Sequence, residues 1–81
     1  MTKNDITPFE AVKFLNAWVE GWTTNGHIIT NPNPNGGIID TVIKTGRWFY
    51  IPESDFVCGD ETDTLARLVE IIIASYEEKG L

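Results

Sequence analysis

The stretch that most constrains this chain is residues 38–52, IIDTVIKTGRWFYIP, in which two alternating β-branched and aromatic runs flank Lys44, Thr45 and Gly46. Alternation at period two specifies half-buried strands, and a glycine between two such runs specifies a hairpin. Lys-Thr-Gly-Arg does not suit a two-residue type I′ turn, which wants Asn-Gly or Asp-Gly. It suits a type I turn followed by Gly46 in the left-handed conformation of a bulge. That turn sets Val42 against Trp48, Thr41 against Phe49 and Ile39 against Ile51. One face then collects Ile39, Thr41, Ile43, Phe49 and Ile51 and is the expected core face. Ile38, Asp40, Val42, Lys44, Trp48 and Tyr50 fall on the other, the mixed composition of a sheet surface that meets water or a partner.

The flanking segments read as helices. Thr7 as N-cap, Pro8 at the first helical position and Glu10 three residues after the cap form a capping box. Ala11, Val12, Leu15, Trp18, Val19 and Trp22 recur at three- and four-residue spacing, so a helix is expected over residues 7–23, after a frayed polar lead that ends at Asp5. Asn25-Gly26 supplies its exit turn. A short strand over 27–30 leads into Asn31-Pro-Asn-Pro-Asn-Gly-Gly37, where prolines and glycines forbid regular structure. Strands over 38–44 and 47–51 follow, then a connection whose Phe56 and Val57 are expected to tuck onto the core. Asp60, Glu61, Thr62 and Asp63 announce a second helix over 61–79, with Asp60 or Thr62 as its cap and Gly80 as its stop. Leu65, Leu68, Val69, Ile72, Ile73 and Tyr76 form its apolar stripe; Ile71 lies off it, either an exposed singleton or part of a contact.

The expected fold is an α+β two-layer sandwich of order α-β-β-β-α, with a three-stranded, mainly antiparallel sheet and both helices on the face of Ile39, Ile43, Phe49 and Ile51. At 81 residues this is a single domain, 1–81. Twelve acids against six bases give a formal charge of −6, which disfavours phosphate backbones and anionic lipid and favours a partner with a basic surface; the competing explanation is solubility alone. One cysteine, Cys58, cannot form an internal disulfide, and with His27 it falls short of a zinc site. A reducing cytoplasm is the expected location. No apolar signal core opens the sequence, and no run reaches the roughly 20 apolar residues that span a bilayer.

No spacing implies catalysis. A Cys58 nucleophile would need His27 beside it, an orienting acid and an oxyanion pocket. The carboxylates of 53–63 lack the frame of a calcium loop, and Asn35-Gly36-Gly37 is followed by neither the lysine nor the helix start of a phosphate loop. The expectation is therefore a non-enzyme with no metal and no cofactor.

The element order is also that of the double-stranded RNA-binding domain, which bridges phosphates with lysines at the start of its second helix. Here that region reads Asp60-Glu61-Thr62-Asp63, the opposite charge, so direct RNA binding is disfavoured. In size, charge and element order the chain resembles instead small acidic phage-encoded inhibitors of the anti-CRISPR kind, some of which present carboxylates in place of phosphates in a nucleic-acid groove. The resemblance is one of organisation over most of the chain. It implies a non-catalytic module that docks on a basic surface of a nucleic-acid-processing defence protein, steered by Asp55, Asp60, Glu61 and Asp63 and anchored by Trp48 and Tyr50 on the outer sheet face. The alternative is a homo-oligomeric structural or regulatory protein that self-associates through that aromatic face.

Overall fold

The computed structural model describes residues 5–53 and 60–81. Two helices and an antiparallel sheet make an α+β fold in the order α1 (Pro8–Asn16), β1 (Thr23–Thr24), β2 (Ile29–Asn31), β3 (Gly37–Thr41), β4 (Trp48–Pro52), β5 (Glu61–Thr62) and α2 (Leu65–Lys79). The five strands form a meander, β1-β2-β3-β4-β5, rather than the three-stranded sheet that the sequence pattern suggests. Both additional strands are two residues long, too short for an alternation signal.

The capping box forms as expected: Glu10 N–H donates to Thr7 Oγ1 at 3.2 Å and Thr7 N–H to Glu10 Oε1 at 3.0 Å. α1 nevertheless ends at Asn16, well short of residue 23. The Asn16 amide turns back on the chain, accepting from Trp22 N–H at 2.9 Å and donating to the Trp22 carbonyl at 3.0 Å. These bonds give residues 17–22 an alternative to further helical turns, and Trp22 enters the core from outside the helix. Asn25-Gly26 then turns a hairpin, Asn25 Oδ1 accepting from His27 and Ile28 N–H at 2.9 and 3.1 Å, and pairs Thr24 with Ile29.

At the other end, residues 60–63 are not the first helical turn. Glu61 and Thr62 are β5, and Thr64 is the N-cap of α2, accepting from Arg67 N–H at 3.2 Å. The two N–H groups ahead of Arg67 are taken by Asp5: Leu65 N–H donates to Oδ2 and Ala66 N–H to Oδ1, both at 2.9 Å. The end of the lead, expected to fray, thus places a carboxylate on the positive end of the longest helix and ties the two ends of the fold together. Gly80, at φ 77°, closes α2 in the left-handed conformation.

Both helices pack on one side of the sheet. Ala11 and Leu15 of α1 and Leu65, Leu68, Val69, Ile72 and Tyr76 of α2 share a core with Trp22, Ile29, Ile39 and Tyr50. Ile71, off the apolar stripe, is half-buried.

Replacing Asp5 with Ala should lower stability by about 1–2 kcal/mol, because it removes two charge-assisted bonds at a helix end. Urea denaturation followed by circular dichroism measures it; a midpoint equal to that of the parent protein would mean that Asp5 contributes nothing to the cap.

Candidate protein-binding face

The hairpin decides which side chains this protein shows. Gly46 adopts the left-handed conformation at φ 68°, as its sequence context requires, but the loop is one residue longer than a three-residue turn. Val42 and Arg47 face each other across it, Val42 N–H donating to the Arg47 carbonyl and Gly46 N–H to the Val42 carbonyl, each at 2.8 Å. Ile43 therefore leaves the sheet for the loop tip, where it is 97% exposed. The ladder that follows pairs Thr41 with Trp48, Asp40 with Phe49, Ile39 with Tyr50 and Ile38 with Ile51. This is a slip of one residue from the expected register, and it turns every side chain of β4 to the opposite face while β3 keeps its own.

Tyr50 is consequently a core residue, beside Ile39 and in ring contact with Trp22 at a centroid distance of 6.5 Å. Trp48 is half-buried against the same core. Neither is an outward anchor. The reason lies in the Gly36-Gly37 pair: Tyr50 donates its hydroxyl to the Gly36 carbonyl at 2.9 Å, and Gly37, at φ 150°, leaves the space that the ring fills. A β-carbon there would lie 2.8 Å from Tyr50 Cε1 and overlap the Ile51 carbonyl. Tyr76 reaches the same loop and donates to the Asn35 carbonyl at 2.8 Å. Burial raises both phenol pKa values above the usual 10.0, Tyr50 strongly so, and the nearby Tyr76 and Asp60 charges add to the effect at Tyr50. The Trp22 indole N–H beside Tyr76 works the other way on that phenol, although among the described residues it meets no acceptor within hydrogen-bonding geometry.

The outward face of the sheet carries Thr30, Ile38, Asp40, Phe49, Ile51 and Glu61, paired as Thr30 with Ile38, Ile38 with Ile51, Asp40 with Phe49 and Phe49 with Glu61. Ile38 is 39% exposed and Phe49 and Ile51 are half-buried, and among the described residues no helix or strand lies over them. Phe49 and Ile51 thus take the outward places expected of Trp48 and Tyr50, beside Ile38, itself expected there. Phase along β4 could not name them, because both phases of WFYIP are apolar.

Of the acids, Asp60, Glu61 and Asp63 are exposed at or beside β5, and Glu61 is paired with Arg47, Oε1 to Nε at 2.9 Å. Asp55, Phe56, Val57 and Cys58 lie outside the described residues, so no Cys58–His27 relation is established. His27 is exposed at the β1–β2 turn. Near the outward face, Asp40 and Glu61 border Phe49, and Glu53 lines a shallow cleft of about 280 Å³ with Thr30, Pro32 and Ile38. Among the described residues no cluster of His, Cys, Asp or Glu is arranged to hold a metal ion, and no helix is long and apolar enough to cross a membrane. Compared with known family models, curated proteins and solved structures, the chain matches none.

The two buried phenols predict alkaline lability. Unfolded tyrosine ionises near 10, whereas these hydroxyls stay protonated to higher pH in the fold. Above about pH 10 the unfolded chain therefore binds fewer protons than the native one, and stability falls as pH rises by up to roughly 1.4 kcal/mol per pH unit per tyrosine, until the native phenols ionise. Below pH 10 the contribution is complete. Urea midpoints measured from pH 8 to 11 should drop steeply at the top of the range, and Tyr50→Phe with Tyr76→Phe should flatten that drop.

Proposed function

We propose that this chain is a non-catalytic acidic protein-binding module that docks on a basic surface of another protein through the outward face of its sheet. The observation that carries the reading is the apolar ladder of Ile38, Phe49 and Ile51, left on the side of the sheet away from both helices and bordered by Asp40, Glu53 and Glu61. A one-layer sheet needs only one apolar face for its core, so three large apolar residues on the other face require a second explanation.

The mechanism has two parts. The net charge of −6 steers a basic partner toward the protein from a distance, with the exposed Glu53 and Glu61 bordering the face. Contact then removes Phe49 and its neighbours from water, which sets the dissociation rate. In its finer form the reading is of a phage-type inhibitor that covers the nucleic-acid-binding groove of a defence effector, its carboxylates standing where phosphates would lie. Acidity, small size and the mixed helix-and-sheet organisation support that form.

Immobilised protein exposed to host lysate should retain basic, nucleic-acid-binding proteins at low salt and release them as salt rises. Asp60→Asn, Glu61→Gln and Asp63→Asn together should flatten the salt dependence, and Phe49→Ala should weaken retention about tenfold or more. Retention that is indifferent to both sets of changes would end the reading. A dimer in sedimentation that Phe49→Ala dissociates would shift it to self-association across the same face.

A further inference from the structure

A second apolar surface lies on the other side of the molecule. Between α1 and α2 runs a cleft of about 300 Å³ lined by Ile6, Phe14, Ala66, Val69, Glu70 and Ile73. Phe14 has half its surface exposed, and Trp18, just past the end of α1, is 38% exposed. α1 presents its core through Ala11 and Leu15, so Phe14 is not needed to seal the fold.

The charges around this cleft have a sign. Residues 66, 70, 73 and 77 follow one another along one flank of α2 at three- and four-residue spacing, which places Glu70 and Glu77 on the same edge as Ala66 and Ile73. Glu10 lies one turn before Phe14 on α1. Among the described residues Arg67 stands against these three carboxylates, its Nη1 held to Glu70 Oε2 at 3.1 Å; Lys13 is exposed and lies opposite the buried Ala11 and Leu15 around α1. A second copy of the chain would bring the same carboxylates against these and add −6 to −6. A cationic partner meets no such opposition.

We infer that the α1–α2 cleft is a docking groove for a basic amphipathic helix, which sets its apolar stripe on Phe14, Val69 and Ile73 and its lysines or arginines against Glu10, Glu70 and Glu77. The apolar floor, with Val69 and Ile73 four residues apart on α2 and Phe14 across from them, suits residues projected at i, i+3 or i+4, and i+7 from a third helix. The groove is separate from the sheet face and stands or falls independently of it.

The test uses two fluorescein-labelled peptides of about 18 residues, long enough to hold a helix, made only of leucine and lysine. In one the leucines fall on one helical face; in its isomer they are scattered. Fluorescence anisotropy against the full chain should show the amphipathic peptide binding about tenfold more tightly than its isomer. Phe14→Ser should remove that preference, Glu70→Lys with Glu77→Lys should reduce affinity and its salt dependence, and Phe49→Ala should change neither. Equal affinity for the two isomers would reduce the effect to net charge and overturn the inference. So would insensitivity to Phe14→Ser in a variant with a parental circular dichroism spectrum, or a sedimenting dimer that Phe14→Ser breaks, since a second copy would then own the groove.

Discussion

The ring of Tyr50 over Gly37, with its hydroxyl on the Gly36 carbonyl, is the contact on which the sheet depends. A buried phenol needs an acceptor, and a buried carbonyl needs donors. Gly36 meets both needs, because its oxygen also accepts from Glu53 N–H at 3.0 Å. Tyr76 fixes the adjoining Asn35 carbonyl from α2, so the Asn-Gly-Gly segment is held from a strand and a helix at once. Once Tyr50 points inward, Phe49 and Ile51 must point outward, since strand side chains alternate.

The same segment connects the opposite edge of the fold. Asn31, 1% exposed, donates its amide to the Glu20 carbonyl at 2.9 Å and accepts from Asn33 N–H at 3.0 Å, and Asn33 donates to the same Glu20 oxygen at 2.8 Å. The turn after α1 is thus bonded to the loop before β3. Residues 31–37 are a fastening between α1, α2 and the hairpin rather than a slack link. In a domain this small, where the core is limited, satisfied polar contacts of this kind define one arrangement among several that would bury similar apolar area.

Covering the sheet on one side leaves two surfaces of different character. The outward sheet face is a short apolar ladder in an acidic border, and the helix side holds an apolar cleft with Glu70 in its lining. The sheet edges are unsuited to association, because β1 and β5 offer only two residues each.

Local chemistry alone determined the elements whose signals sit within a few residues of each other: the Thr7-Pro8-Glu10 cap, the left-handed conformation of Gly46, the α2 stripe and its Gly80 stop, and the α+β class. Tertiary structure decided what depends on distant partners. α1 stops at Asn16 because Trp22 takes its side chain, and the start of α2 at the Thr64 cap is completed by Asp5, 60 residues before Leu65. Glu61 meets Arg47 only because β5 joins β4. The exposed face of β4 was the least legible feature, because WFYIP is apolar in both phases and the choice between them rested on one residue of loop length. Only a ring-sized space over Gly37, with an acceptor at its end, favoured Tyr50 within and left Phe49 and Ile51 without.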